Sequence, residues 1–169
     1  DFIFDDDNGN TLNGTAGQDI IFGNGGNDTI NGGDENDLLD GGEGNDTVNG
    51  GAGDDTIDFR MGDESDTING GTEFDTVRIR GTSNNDTLNV RFSGGVLNSI
   101  PGLTVAAIEA FEAHLDDGDD TLSYDPPGAL ITTTGVSVDL AAGTATGFAA
   151  ISGVEHVIVD EVHAIAGTK

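Results

Sequence analysis

Asp19, Asp28, Asp37, Asp46 and Asp55 stand nine residues apart, and carboxylates at a fixed period are the residues of this chain best placed to do chemistry. Asn10 lies nine before the series, and Asp66, Asp75 and Asp86 continue it at steps of eleven, nine and eleven. A step of eleven is the period plus a two-residue insert. The chain has no Cys, and its histidines, His114, His156 and His163, all lie outside the Asp series, so the period offers oxygen ligands alone. Such a set selects a hard cation. Calcium accepts about 6 to 8 oxygens in adaptable geometry, whereas magnesium demands a tight octahedron and keeps its water, so several calcium ions are the expected ligands.

The rest of the period says what must hold those carboxylates. Gly14, Gly23, Gly32, Gly41 and Gly50 lie five before each Asp, and Gly17, Gly26, Gly44 and Gly53 lie two before. Two places after the Asp comes an aliphatic residue: Ile21, Ile30, Leu39, Val48, Ile57, Ile68, Val77 and Leu88, usually with Thr between. The unit reads G-G-x-G-x-D-x-U-x, with U aliphatic. Glycine tolerates the positive φ of a tight turn, and a Thr-aliphatic pair suits a pleated strand. In a strand as short as x-U-x only U faces inward. A coil with one such strand on each face closes after two repeats, which puts Asp19, Asp37, Asp55 and Asp75 on one edge. Asn10, Asp28, Asp46, Asp66 and Asp86 fall on the other. Coils about 4.8 Å apart leave stacked carboxylates roughly 5 Å from one another, a repulsion of about 3 kcal/mol at an effective dielectric near 20. A cation between coils is the term that offsets it.

Segments 23–31, 41–49 and 50–58 resemble the repeats-in-toxin (RTX) nonapeptide, the haemolysin-type calcium-binding repeat. The resemblance covers 14–58, extends to Asn89, and is degenerate over 5–13. It implies an all-β, right-handed parallel β-roll with calcium held between the turns of successive coils. In such rolls the sixth-position Asp gives its carboxylate and the second and fourth positions give carbonyls. Carried over, this points to Asp19, Asp28, Asp37, Asp46 and Asp55, and further along to Asp66, Asp75 and Asp86. The carbonyls would come from Gly17, Gly26, Gly33, Gly42, Gly44, Gly51 and Gly53. The expected pairs are 19/37, 28/46 and 37/55, then 46/66, 55/75 and 66/86. Glu35, Glu64 and Glu73 depart from the pattern in the fourth position, where a Cβ strains the turn. Asn84 is milder there, since Asn tolerates a left-handed backbone. The resemblance also implies a secreted bacterial protein exported through a type I channel. The last residues, 166–169, carry no recognisable export signal, and the chain starts at Asp1, so it reads as part of a longer polypeptide.

With 5 Lys+Arg against 32 Asp+Glu the formal charge is −27, which makes nucleic acid and anionic membranes poor partners and opposes a compact metal-free state. No apolar stretch of about 18 residues is present, so no membrane insertion is expected. We divide the chain into a repeat roll, 1–89, and a β-rich extension, 90–169, that caps the open end of the roll. One degenerate repeat returns at 115–123, with no neighbour two repeats away. Val105, Ile108, Phe111 and Leu115 have near-helical spacing, but strand is expected here, as it is within 136–140 and 154–159, with a break at Pro126 and Pro127. The histidines do not have the spacing of a zinc site, and Arg78, Arg80 and Arg91 are expected to pair with nearby acids. Ser137 and the other hydroxyls have no base at recognisable spacing, so no enzyme is expected. The reading is a non-enzymatic calcium-binding module whose folding depends on the ion. Two alternatives stand beside it. One is a structural or adhesive segment of a large surface protein, for which the Thr row on the outer strand face would serve. The other is the accessory domain of an enzyme whose catalytic part lies upstream.

Overall fold

A computed structural model describes residues 1–93, 96–100, 102–115, 121–124, 138–139, 144–145, 150–152 and 156–159. The strands are β1 (Phe2–Phe4), β2 (Thr11–Asn13), β3 (Ile20–Phe22), β4 (Thr29–Asp34), β5 (Leu38–Asp40), β6 (Thr47–Ala52), β7 (Thr56–Arg60), β8 (Asp66–Thr72) and β9 (Thr76–Arg80). They continue as β10 (Thr87–Ser93), β11 (Val96–Ser99), β12 (Leu103–Ala106), β13 (Ala110–His114), β14 (Thr121–Tyr124), β15 (Val138–Asp139), β16 (Thr144–Ala145), β17 (Ala150–Ser152) and β18 (His156–Val159). No helix occurs among the described residues, hence none long and apolar enough to cross a membrane. The expected strands at 105–115 are present as β12 and β13. Within 136–140 and 154–159 the described strands are β15 and β18, and the Pro126-Pro127 break lies outside the described residues.

Successive coils stack in parallel, as the period requires. One sheet runs β1-β3-β5-β7-β9-β13-β17 and a second runs β12-β8-β6-β4-β2. Ile21 pairs with Leu39 and Leu39 with Ile57, each two repeats on; Ile30 pairs with Val48 at the same interval. These aliphatic side chains are buried and join in one core cluster between the sheets. The fold is therefore a parallel β-solenoid of the β-roll kind.

The two-residue inserts do more than lengthen a turn. Because side chains alternate between faces, adding two residues to a strand preserves its parity and contributes a second inward position. In β7 both Ile57 and Phe59 are buried, in β9 both Val77 and Ile79, and next to these Leu88 and Val90 of β10. Two inward residues per strand make an interior broader than two short sheets can close over.

The structure answers with a third sheet, and here it corrects the expected stacking. β10 does not lie on β8. It pairs antiparallel with β11 and parallel with β14, in a sheet of order β11-β10-β14-β18. The place on β8 is taken by β12, with Val105 opposite Ile68. Asp66 therefore donates its N–H to the Gly102 carbonyl at 3.1 Å, and the 66/86 pair does not form. The degenerate repeat 115–123 does have a neighbour, much further back than two repeats, because Leu122 pairs with Leu88. The coils β8-β9-β10 and β12-β13-β14 each cross three sheets.

The backbone also revises the expected strain. Glu35 (φ 66°) and Glu73 (φ 88°) are left-handed as anticipated, but neither Glu64 nor Asn84 has a positive φ; in the turn before Asp66 it is the second-position Gly62 (φ 93°) that does.

Candidate metal centre

The carboxylates of the repeats are buried, and their two oxygens have different surroundings. Oδ1 accepts the backbone N–H of the equivalent residue one coil back: Asn10 to Asp28, Asp19 to Asp37, Asp28 to Asp46, Asp37 to Asp55 and Asp46 to Asp66 at 2.8 Å, and Asp55 to Asp75 at 2.9 Å. Five of the expected pairs are thus brought together. Oδ2 of Asp28, Asp37, Asp46, Asp55 and Asp75 is buried without a hydrogen-bond partner. A buried charged oxygen left unpaired is costly, so a repeated row of them asks for a ligand.

The first position of the repeat makes room for that oxygen. A Cβ on Gly50 would collide with Asp55 Oδ2 and with the Gly70 carbonyl oxygen of the next coil; on Gly32 it would strike Asp37 Oδ2 and the Gly50 carbonyl oxygen. The orphaned Oδ2 of Asp28, Asp37 and Asp55 therefore shares its space with a first-position carbonyl from the coil above, that of Gly41, Gly50 and Gly70 respectively, a contributor that the second- and fourth-position scheme did not include. In the expected carbonyl set, Gly26, Gly33, Gly42, Gly44, Gly51 and Gly53 all adopt positive φ. Gly17, in the first turn, does not, and a Cβ there would meet nothing within 4 Å.

The two ends of the Asp series differ from its middle. Asp19 Oδ2 accepts the Thr15 N–H at 2.6 Å and the Thr15 hydroxyl at 3.1 Å. Asp86 Oδ2 accepts the Thr82 N–H at 2.7 Å. In both turns a Thr fills the second position, and it serves the oxygen that elsewhere is left unpartnered.

Burial without compensation shows in the acidities. Burial, with neighbouring carboxylates adding to it, pushes Asp46, Asp55, Asp66 and Asp75 up to about 6. Asp28 and Asp37 move in the same direction, mainly through burial. No group of three or more His, Asp or Glu side chains converges among the described residues. The carboxylates come one per coil, so any ion bound here completes its shell with peptide carbonyls, as calcium does readily.

Two sets of residues escaped the sequence reading. The fifth-position side chains lace the turn edges together: Asn27, Asn36, Asn45 and Asp54 each accept with Oδ1 the N–H of the fifth-position residue one coil on, at 3.0–3.1 Å. The run Asn27, Asn36, Asn45, Asp54 was visible at period nine. Glu109 is the other, accepting the Asp75 N–H at 2.9 Å. Its signal is an acid two residues before a buried apolar residue, Phe111.

Arg78 and Arg80 do pair with an acid: both reach Asp58, with Nη2 to Oδ2 distances of 2.8 and 3.3 Å. His114 Nε2 lies 3.8 Å from Glu112 Oε2. Ser137 and His163 lie outside the described residues, as do the side chains of Arg91 and His156.

Residues 4–39 and 31–63 match the family model of the RTX calcium-binding nonapeptide repeat (4 copies). No curated protein and no solved structure matches the chain.

Proposed function

From the premise that residues 4–63 carry RTX calcium-binding nonapeptide repeats, we propose that the chain is a calcium-binding module of a secreted bacterial protein, folding when it meets the ion outside the cell. The observation that carries this is the row of buried, unpartnered Oδ2 atoms, those of Asp28, Asp37, Asp55 and Asp75 each beside a peptide carbonyl of the next coil. Asp28, Asp37, Asp46, Asp55, Asp66 and Asp75 would hold the ions, joined by carbonyls of Gly26, Gly33, Gly42, Gly44, Gly51 and Gly53. Asp19, Asp86 and Gly17 would serve the end turns, where Thr15 and Thr82 compete for the carboxylate. Bound calcium supplies the positive charge that lets stacked carboxylates coexist, and binding free energy becomes folding free energy. In this reading residues 1–89 hold the ions and 90–169 close the end of the stack.

Calorimetric calcium titration alongside far-UV circular dichroism tests the proposal. The chain should take up several ions and gain its β signal with them. Asp37→Ala removes a ligand oxygen and the acceptor of the Asp19 N–H, and should weaken two neighbouring sites by about ten-fold or more, on the order of 1 to 3 kcal/mol. A full β signal in excess chelator would sink the idea.

One observation favours a second reading, a structural or adhesive segment. The outer face of the β2-β4-β6-β8 sheet carries no charge at Thr11, Thr29, Thr47 and Thr67 or at Asn13, Asn31, Asn49 and Asn69, in a chain of net charge −27. Asn31 Nδ2 donates to Asn13 Oδ1 and Asn49 Nδ2 to Asn31 Oδ1, at 2.9 and 3.0 Å, which orders this face as a ladder. Thr29→Lys with Thr47→Lys should abolish retention on a surface without altering calcium uptake if adhesion is the role.

A further inference from the structure

On one edge the row of carboxylates does not end with a repeat. β13 lies on β9 with Ala110 opposite Thr76, so Glu109 occupies the position of Asp75 one coil on. Its Oε2 accepts the Asp75 N–H at 2.9 Å, as Asp75 Oδ1 accepts the Asp55 N–H at 2.9 Å. The turn before Glu109 is contracted. Ala106 pairs with Asn69, so the five residues 70–74 of one coil are matched by only Ala107 and Ile108 in the next. Ile108 is fully buried and joins the core, which leaves Ala107 to make the bend at φ 51°.

That bend reproduces one element of a repeat turn. A Cβ on Gly70 would collide with both Asp75 Oδ2 and the Ala107 carbonyl oxygen, the same convergence that Asp55 Oδ2 and the Gly70 carbonyl make over Gly50. Asp75 is completely buried, and its Oδ2 has no hydrogen-bond partner. Glu73 and Asp54 add negative charge nearby.

We propose that Asp75, Glu109 and the Ala107 carbonyl hold a terminal cation, a site built on a non-repeat turn between the coils β8-β9-β10 and β12-β13-β14. The inference rests on the calcium reading of the rows below it. A contracted turn offers one bend carbonyl where a full turn offers several, so water completes more of the shell. Such a site binds calcium more weakly than the repeat sites and discriminates less against magnesium, which tolerates one or two carboxylates plus water. If instead Glu109 serves only as an acceptor for the Asp75 N–H, no ion depends on its charge.

Glu109→Gln separates these cases, because the amide oxygen still accepts the N–H while the charge is gone. In calorimetric calcium titration it should take up one fewer ion per chain, with the weakest binding step missing, and Glu109→Asp should keep that step. Unchanged stoichiometry in a folded Glu109→Gln chain overturns the site. Should that variant fail to fold, magnesium competition on the unaltered chain decides: displacement of the weakest calcium step alone supports the site, and no selective displacement overturns it. A chain that takes up no calcium at all would remove the broader reading instead.

Discussion

The coils from β2 to β6 and those from β9 to β14 use the same pleat but hold together differently. In the first, a strand meets its neighbour after two nonapeptides, and β3, β4, β5 and β6 each bring one buried aliphatic residue inward. In the second, the chain makes a much longer excursion before pairing, as between Val77 and Phe111, and β9, β10 and β13 each bring a pair inward: Val77 with Ile79, Leu88 with Val90, and Phe111 with Ala113. The narrow coil has little apolar area to bury, and its edges stack carboxylates. The wide coil buries more per strand, and where its turn contracts at Ala107 a glutamate replaces the row aspartate. Dependence on the ion should therefore decline along the chain as apolar burial rises.

The largest expected effect comes from removing calcium. With calcium about 1,000-fold above its dissociation constant, each bound ion contributes about 4 kcal/mol, so chelation should accelerate amide exchange in β3 to β6 by on the order of a thousand-fold. Amides in β9 and β13 should lose far less. Equal loss throughout, measured by hydrogen exchange, breaks the comparison.

Phe111→Ala attacks the other side of it. The ring is fully buried between the sheets, and truncation should cost about 3 to 5 kcal/mol. Exchange in β9 and β13 should rise with calcium present, while the sites at Asp28, Asp37 and Asp46 keep their affinity. If calcium uptake by the narrow coils falls as much as the stability of the wide ones, the two regions are a single cooperative unit.

A smaller, graded effect is expected from pH. Folding raises Asp46, Asp55, Asp66 and Asp75 to about 6, above the ordinary carboxylate value, so the metal-free coil binds more protons than the unfolded chain. Its stability is fullest below about pH 4 and is lost as pH rises through about 6. Protons and calcium compete for the same oxygens, so calcium affinity should fall between pH 7 and pH 5, while the β signal of the chelated chain should grow over the same descent. A calcium affinity flat across that interval would show that these carboxylates are not the ligands.

Much of this was legible in the residues. A nine-residue period placed Ile21, Ile30, Leu39 and Val48 inward and Asp28, Asp37, Asp46 and Asp55 on the edges, and all eight are buried there. Such placement needs only local rules: glycine-permitted turns, the alternation of a pleat, and a coil that closes every two repeats. The inserts before Asp66 and Asp86 were visible as lengths but not as consequences, because a longer turn and a longer strand are identical in residue count. Glu109 was hidden for a related reason, since the turn that would have marked it as a row member is missing three residues.

By itself the amino-acid order determined the period, the inward aliphatic row, the acidic edges and the parallel stacking of the first coils. Only the tertiary structure decided that β12 rather than β10 lies on β8, that the degenerate repeat stacks on β10 through Leu122 and Leu88, and that Glu109 succeeds Asp75. The physical reason is that neighbours one short coil apart are chosen by a repeating local geometry. Strands separated by a longer excursion are chosen by how two inward side chains per strand fill a common interior, and that competition is settled by packing rather than by spacing.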